Sequence, residues 1–402
     1  MRIVCVGGGP GGLYLAILMK QRDPGHDITV LERNPAGVTY GWGVVFWDDL
    51  LQGLRANDPP TARAIAEAAF RWGGQQILVD GQPPATLSGH GYGMGRRRLL
   101  DILTTRAMEL GVRVRFESEV EDPAQLGHAD LVVACDGVNS RLRRHHPDRF
   151  GTRIDSGRNR YIWLGTTKVF DAFTFAFVQT RAGWVWCHAY GFDEATSTFI
   201  VECSPGTWAG LGFGQLGLDD SLQRLERIFE RQLDGHRLVA QAPARDRTPW
   251  LGFRTVTNDR WHHGNVVLLG DAAHTTHFTI GSGTKLAIED AIGLADALGD
   301  HRDLATALAA YEHRRRTALV LLQQEARNSA RWFENLPRYV ALGEPRFAAL
   351  LHHRRSPLLT RMSPAGYYRL RRMTELLPLF DRLWQWASSR GRARYVRRAP
   401  TT

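Results

Sequence analysis

The chain has 402 residues, 43% of them hydrophobic, enough to bury a large core and build two or three lobes. It carries 51 basic against 41 acidic residues, a formal net charge of +10, but its aromatic residues are not interleaved with the basic ones, which ranks nucleic acid low as a partner. No apolar run reaches the roughly 18 residues of a membrane span, and the start turns glycine-rich too soon for a secretory leader, so the expected compartment is the cytoplasm.

In chain order, Ile3–Val6 reads as an apolar strand, Gly7–Gly12 as a glycine turn, Leu13–Met19 as an apolar helix and Asp27–Leu31 as a second strand, together a βαβ unit. Leu131–Cys135 is a further strand running into Asp136-Gly137. From about Asp155 to Arg254 the texture changes to alternating aromatic and β-branched residues, the pattern of an inserted antiparallel sheet. Val266–Leu269 is another strand, running into Gly270-Asp271, with a helical pattern starting near Gly283. Beyond Asp290 the chain reads as helical, broken by Pro337, Pro345, Pro357, Pro364 and Pro378. The four cysteines, Cys5, Cys135, Cys187 and Cys203, show no C-x-x-C spacing, so neither a metal site nor a disulfide framework is expected.

The chemistry is carried by glycines and carboxylates at strand ends. Gly7, Gly9 and Gly12 form G-x-G-x-x-G between a strand and a helix, and Glu32 follows twenty residues past Gly12 at the end of the next strand. Gly7 permits the tight turn, Gly9 the approach of a pyrophosphate to a helix N-terminus, and Gly12 close helix–strand packing. Glu32 offers acceptors to ribose hydroxyls. This pattern predicts a dinucleotide without separating FAD from NAD. The separation comes from Asp271 at a second strand end, followed by Gly281, Gly283 and Thr284 at a helix start. Such a pair suits the polyol and second phosphate of FAD, whereas the plain alternative is a tight turn with a capping aspartate.

These motifs together resemble the group A flavoprotein aromatic hydroxylases, the family of p-hydroxybenzoate hydroxylase, over nearly the whole chain to about residue 335. The expected fold class is therefore α/β. A Rossmann-like FAD-binding domain spans 1–75, 95–155 and 255–335. A mainly antiparallel substrate-binding sheet spans 76–94 and 156–254, and a helical C-terminal region spans 336–402. The resemblance implies that Asp136, Gly137 and Arg143, in Ala134–Arg143, serve both FAD and NAD(P)H. It also implies that an arginine lies near the flavin; Arg96, with Leu99 and Leu103 at the family's spacing, fits, although Arg97 and Arg98 compete. Arg33, Val44, Val45 and Gly270 complete the implied cofactor set.

Within the family, four stretches resemble the salicylyl-CoA 5-hydroxylases, the hydroxylase half of 2-aminobenzoyl-CoA monooxygenase/reductase and the violacein-pathway hydroxylase: Gly41–Phe46, Gly157–Trp163, Ser197–Ser204 and His274–Lys285. The family's usual proline is replaced by Phe278. The resemblance implies that NADH or NADPH reduces FAD, that O2 adds to give a C4a-hydroperoxide, and that its distal oxygen attacks an electron-rich ring. No catalytic side chain is required beyond the flavin; His188, His277 and Phe278 are the candidates. Trp163, Trp184, Trp186, His188, Tyr190 and Glu202 alternate along the sheet and are expected on one face with substrate, together with His277 and Phe278 from the loop after Asp271. His274 is expected to be structural or flavin-proximal.

The leading substrate is a small aromatic group held as a CoA thioester, salicylyl-CoA hydroxylated at the 5-position, with Arg158, Arg160 and the arginines from Arg369 to Arg398 available to phosphates. The alternatives are an indole or tryptophan-pathway hydroxylase, a flavin-dependent halogenase and a non-catalytic flavoprotein. Trp184-Val-Trp186 continues as Cys187-His188 and lacks the Ile-Pro of the halogenase pattern.

Overall fold

In the computed structural model, residues 1–241 and 250–376 are described; Pro378 and the arginines beyond Arg372 lie outside them. In chain order the strands are β1 (Arg2–Val6), β2 (Asp27–Leu31), β3 (Gly43–Phe46), β4 (Phe70–Val79), β5 (Ala85–Gly95), β6 (Arg113–Arg115), β7 (Leu131–Ala134) and β8 (Arg153–Thr166). They continue as β9 (Phe173–Thr180), β10 (Gly183–Gly191), β11 (Ser197–Cys203), β12 (Leu238–Val239), β13 (Leu251–Thr257), β14 (His262–His263) and β15 (Val266–Leu268).

One sheet has the order β14-β15-β7-β1-β2-β6 and is parallel except at β14. Its central strands are continuous apolar runs, as a sheet covered on both faces requires. The helix Pro10–Arg22 crosses from β1 to β2, and every residue from Pro10 to Met19 is buried. Pro10 sits in its first turn, where the missing N–H costs no hydrogen bond. Gly11 allows this helix to meet the helix Gly283–Asp300, since a Cβ there would lie 3.0 Å from the Ala287 carbonyl.

The other sheet has the order β12-β8-β11-β10-β9-β4-β5-β3, with β13 on β8, and is antiparallel except between β4 and β9. Alternation gives it two faces. Ile162, Leu164, Val185, Cys187, Ala189, Phe199 and Val201 point one way and pack with Leu225, Phe229 and Leu233 of the helical segment beneath. Cross-strand partners share a side, so the pairings of Glu202 with Tyr161 and Trp186, and of Ile200 with Trp163 and His188, place those side chains on the opposite face. The sheet curls until its last strand meets that face: Gly43 N–H donates to Thr198 Oγ1 at 2.8 Å, and Tyr190 Oη donates to the Gly43 carbonyl at 2.8 Å.

The chain divides into two compact units, Met1–Thr275 with Gly281–Glu312, and Thr276–Ile280 with the chain from His313 onward. Both sheets belong to the first, and β3 and the start of β4 join the curled sheet although they fall within 1–75. The second unit takes over at His313, within the helix Leu304–Glu334, instead of near 335, because the packing of successive turns and not a break in the helix divides the units. Pro337 and Pro364 then open the helices Pro337–Val340 and Pro364–Leu376, and Trp332 stacks on Tyr339 at 4.9 Å in that unit's core. No described helix is long and apolar enough to cross a membrane.

Candidate active site

The glycine turn follows β1 because each glycine meets a different constraint. Gly7 has φ +115°, and a Cβ there would collide with the Cys135 carbonyl. At Gly12 a Cβ would sit 2.5 Å from the Gly7 carbonyl and 2.6 Å from Cys135 Sγ. At Gly9, the residue capping the helix Pro10–Arg22, a Cβ would meet nothing within 4 Å. The open side of Gly9 faces a groove of about 470 Å³ whose lining includes Glu32, Arg33, Arg96, Asp136 and Gly137.

Glu32 is already partly engaged. Gly8 N–H donates to its Oε2 at 2.8 Å, and the backbone and side-chain nitrogens of Asn34 donate to Oε1 at 2.9 and 2.7 Å. Asp136 accepts from Arg141 N–H at 2.7 Å through Oδ2, whereas its buried Oδ1 has no hydrogen-bond partner among the described residues. A buried acceptor left open on a groove wall is costly unless a ligand donates to it. Cys135 lies on the groove floor, its Sγ donating to the Gly7 carbonyl at 3.2 Å; a hydrogen bond to Cys5 and burial push its thiol pKa well up, which makes it inert.

The three arginines that sequence left competing have separate fates. Arg96 caps its position with a hydrogen bond from Nε to Thr39 Oγ1 at 3.2 Å. Burial lowers its pKa, and the nearby Asp271 and Glu32 carboxylates oppose that shift. Arg97 also lines the groove, largely exposed and 3.9 Å from Asp101, and Arg98 is exposed. Arg143 is 1% exposed and donates to the carbonyls of Ala272 at 2.8 Å and Val138 at 2.6 Å, while its buried Nε has no hydrogen-bond partner among the described residues. It ties the Asp136 loop to the Asp271 turn.

Asp271 occupies the single turn Gly270–Ala272 after β15, made possible by Gly270 at φ +63°. Its side chain is open to solvent on one side while protein crowds the other, and desolvation raises its pKa against the pull of His274 and Arg96. The turn rests on Asp290, a residue the sequence did not single out. Asp290 accepts from Gly270 N–H at 3.1 Å and pairs with His274 Nε2 at 2.7 Å, both side chains being buried. His274 also stacks on Trp261 at 4.9 Å, which is a structural placement. Gly281, at φ +64°, lies against Val45 and Trp47, and Gly283 and Thr284 open the helix Gly283–Asp300 next to it. Val45 of β3 is thereby brought beside Gly281.

On the free face of the curled sheet, Glu202 is 1% exposed and accepts from Asn159 Nδ2 at 2.7 Å and Trp186 Nε1 at 3.1 Å. His188 Nε2 lies 3.7 Å from it, and the His188 ring meets Phe175 edge-on at 5.2 Å. Tyr190 stacks on Phe173 at 5.4 Å, its hydroxyl committed to Gly43. Trp163 is half-buried against Gly41, and Trp184 is half-buried at the start of β10. Tyr161 joins the two halves of the site: burial pushes its pKa up to about 12, with Asp271 and Glu202 adding to the shift and Arg254 opposing it. Tyr161 and Asp290 were absent from the sequence candidates; the cross-strand partner of Glu202 was the signal available for the first.

His277 and Phe278 belong to the second unit, where their rings stack at 4.5 Å. Thr279 holds that loop through Ser329 Oγ at 2.9 Å, and Arg354 donates to the Thr279 carbonyl at 3.0 Å.

Residues 92–326 match the FAD binding domain family, and residues 5–42 match the NAD(P)-binding Rossmann-like domain family. The chain is 40% identical over 378 residues to the salicyloyl-CoA 5-hydroxylase of a Streptomyces species, covering 91% of this chain and 71% of that protein. The chain belongs to the FAD-dependent aromatic monooxygenases. It is also 37% identical to 3-hydroxy-4-methyl-anthranilyl-[aryl-carrier protein] 5-monooxygenase of Streptosporangium sibiricum, covering 84% and 90% of the two chains. To protodeoxyviolaceinate monooxygenase of Chromobacterium violaceum it is 34% identical, covering 89% and 95%. Among solved structures, 2-methyl-3-hydroxypyridine-5-carboxylic acid oxygenase shares the fold at a TM-score of 0.64 and 20% identity, covering 89% and 93%. As in this FAD-dependent monooxygenase family, FAD is the cofactor, NAD(P)H the electron donor and O2 the co-substrate.

Proposed function

We propose that this monooxygenase hydroxylates an aromatic acid carried as a thioester, with salicylyl-CoA hydroxylated at the 5-position as its leading substrate. The observation that carries the reading is the 40% identity across 91% of the chain to a protein named for that reaction. The Streptosporangium relative supports it, since its name also describes an aromatic acid on a large carrier and oxygen insertion at position 5.

FAD, when bound and reduced by NAD(P)H, supplies one atom of O2 to the ring, and the other leaves as water. The chain's own residues bind, orient and exclude water. In this reading the N–H groups of Gly9, Gly11 and Gly12 receive the pyrophosphate at the positive end of the helix Pro10–Arg22. Glu32 keeps lone pairs for ribose hydroxyls beyond those spent on Gly8 and Asn34. Asp136 Oδ1 accepts from a cofactor hydroxyl or amide, Arg33 lies at the groove wall, and Asp271 with Gly283 and Thr284 receives the ribityl and phosphate end. The backbone of Val44 and Val45, with Gly281, forms a surface for the flavin ring, and Arg96 balances the carboxylates around it. Trp163, Trp184, Trp186, His188 and Tyr190 position the substrate ring. The proposed domains are the three FAD-binding segments, the inserted sheet and the C-terminal helices.

The 34% identity to protodeoxyviolaceinate monooxygenase favours a second reading, an indole-derived substrate. Stopped-flow flavin reduction by NADH and NADPH, with and without salicylyl-CoA, followed by product mass after oxygen is admitted, separates the two. The thioester reading expects faster reduction and a product heavier by one oxygen. A holoenzyme indifferent to the thioester but stimulated by an indole refutes it.

A further inference from the structure

The segment entering β3 is fastened to the curled sheet from three sides. Gly41 N–H donates to Gln241 Oε1 at 2.7 Å, and Gln241 Nε2 donates to the Gly41 carbonyl at 2.7 Å, a closed two-bond ring across 200 residues of sequence. Two residues on, Gly43 N–H donates to Thr198 Oγ1 at 2.8 Å and its carbonyl accepts from Tyr190 Oη at 2.8 Å. Both glycines are required by closeness. Gly41 has φ +91° with the Trp163 ring 2.6 Å from where a Cβ would lie, and at Gly43 the Phe192 ring would lie at a similar 2.6 Å. The backbone immediately after these bonds carries Val44 and Val45, with Val45 against Gly281.

We propose that Gln241 and Thr198 are positioning residues that hold the Gly41–Gly43 backbone, and through it Val44 and Val45, at the height needed to seat the flavin ring. An edge strand has unpaired backbone groups and frays at its free end. Here the free end is instead occupied by side chains that imitate a neighbouring strand: a primary amide matches a peptide group in donor, acceptor and spacing. The fastening residues stand on β11 and just after β12, elements remote in sequence from the glycine turn, so the ring's seat is set by the substrate sheet and the adenosine groove by the parallel sheet. This proposal rests on the reading of Val44 and Val45 as flavin contacts.

The separation of the two halves supplies the test. FAD and ADP are titrated against FAD-free enzyme, and amide exchange is followed over residues 39–47 of both FAD-free and holoenzyme. Thr198→Val removes the acceptor at nearly constant volume, Thr198→Ser restores it, and Gln241→Ala removes the half-buried partner should the buried Val variant fail to fold. The expected result is amide exchange faster by about tenfold in this peptide, FAD affinity weaker by about tenfold and ADP affinity within about twofold of wild type. Thr198→Ser should return FAD affinity to the wild-type range. Unchanged exchange overturns the fastening itself. Faster exchange with unchanged FAD affinity overturns the seat and, with it, the reading of Val44 and Val45. Parallel loss of FAD and ADP affinity shows general damage and overturns the division of labour.

Discussion

Gly9→Ala and Gly12→Ala change the same motif by the same methyl group and should fail in opposite ways. At Gly12 the added carbon would lie 2.5 Å from the Gly7 carbonyl and 2.6 Å from Cys135 Sγ, both inside the contact distance of carbon with oxygen or sulfur. Neither neighbour is a flexible side-chain tip, so helix and strand must separate. Overpacking of this kind costs about 1–3 kcal/mol. At Gly9 the carbon enters open space, with φ −75° already suited to alanine, and stability should stay within about 0.5 kcal/mol of wild type. That space is where the pyrophosphate approaches the helix N-terminus, and losing one charge-assisted hydrogen bond there is worth about 1.5–3 kcal/mol. FAD affinity should therefore fall by about tenfold to a hundredfold in Gly9→Ala. Thermal melts of the FAD-free proteins, paired with FAD titrations by flavin fluorescence, read the two effects separately. A Gly12→Ala protein that melts with wild type, or a Gly9→Ala protein that binds FAD with wild-type affinity, would refute the reasoning.

Other perturbations follow from the same geometry. Arg143→Met cuts the two bonds joining the Asp136 loop to the Asp271 turn, each worth about 1.5–3 kcal/mol; it should lower the melting temperature and weaken FAD binding together, whereas Arg98→Met, exposed and outside the groove lining, should do neither. Trp186→Phe leaves Glu202 without its indole donor and should destabilise the first unit by about 1–3 kcal/mol, measured by urea titration; no change in midpoint would place Glu202 in a wetter setting than the structure gives it. Burial, then Arg371 and His352, lowers the His353 pKa from 6.5 to about 4. Between those values the unfolded chain holds the extra proton, so stability is full above about pH 6.5 and is lost as pH falls toward 4. Allowing for its partial exposure, the loss amounts to about 1–2 kcal/mol. Melting curves from pH 7 to 5 should show it, and His353→Gln should flatten them; an equally steep curve in the variant would assign the acid loss elsewhere.

Much of the nucleotide half was legible in the sequence because its signals are local. A strand, three glycines and a helix lie within twenty residues, and the period of the apolar positions fixes each element. The boundary of the second unit was less legible. Prolines marked the later helices, but nothing in Leu304–Glu334 shows that the helix leaves one unit and enters another, because that depends on what packs against each turn. The curled sheet lies between these cases. Alternation along β10 put Trp186, His188 and Tyr190 on one side, as a two-residue period requires. It could not show that β3 returns to that side, since the bonds from Gly43 to Thr198 and Tyr190 span 155 and 147 residues.

The same limit governs the carboxylates and arginines, where residue type and position were visible but unspent bonding capacity was not. Asp290 has both a backbone N–H and His274 directed at Oδ2, and Glu202 has Asn159 and Trp186; these acidic groups hold protein to protein. Asp136 keeps a buried oxygen open on the groove, and Asp271 stands exposed opposite Arg96. Arg143 and Arg96 differ in their surroundings, the first enclosed and donating to two carbonyls and the second lining the groove with Glu32 and Asp271 nearby. A charged residue at a strand end or helix start is thus a ligand candidate by sequence, but its partners decide the matter. Asp136, Asp271 and Arg96 retain the capacity to meet a bound molecule. Asp290 and Arg143 hold the loops on which Asp136 and Asp271 stand, and Glu202 holds the curled sheet together through Asn159 and Trp186.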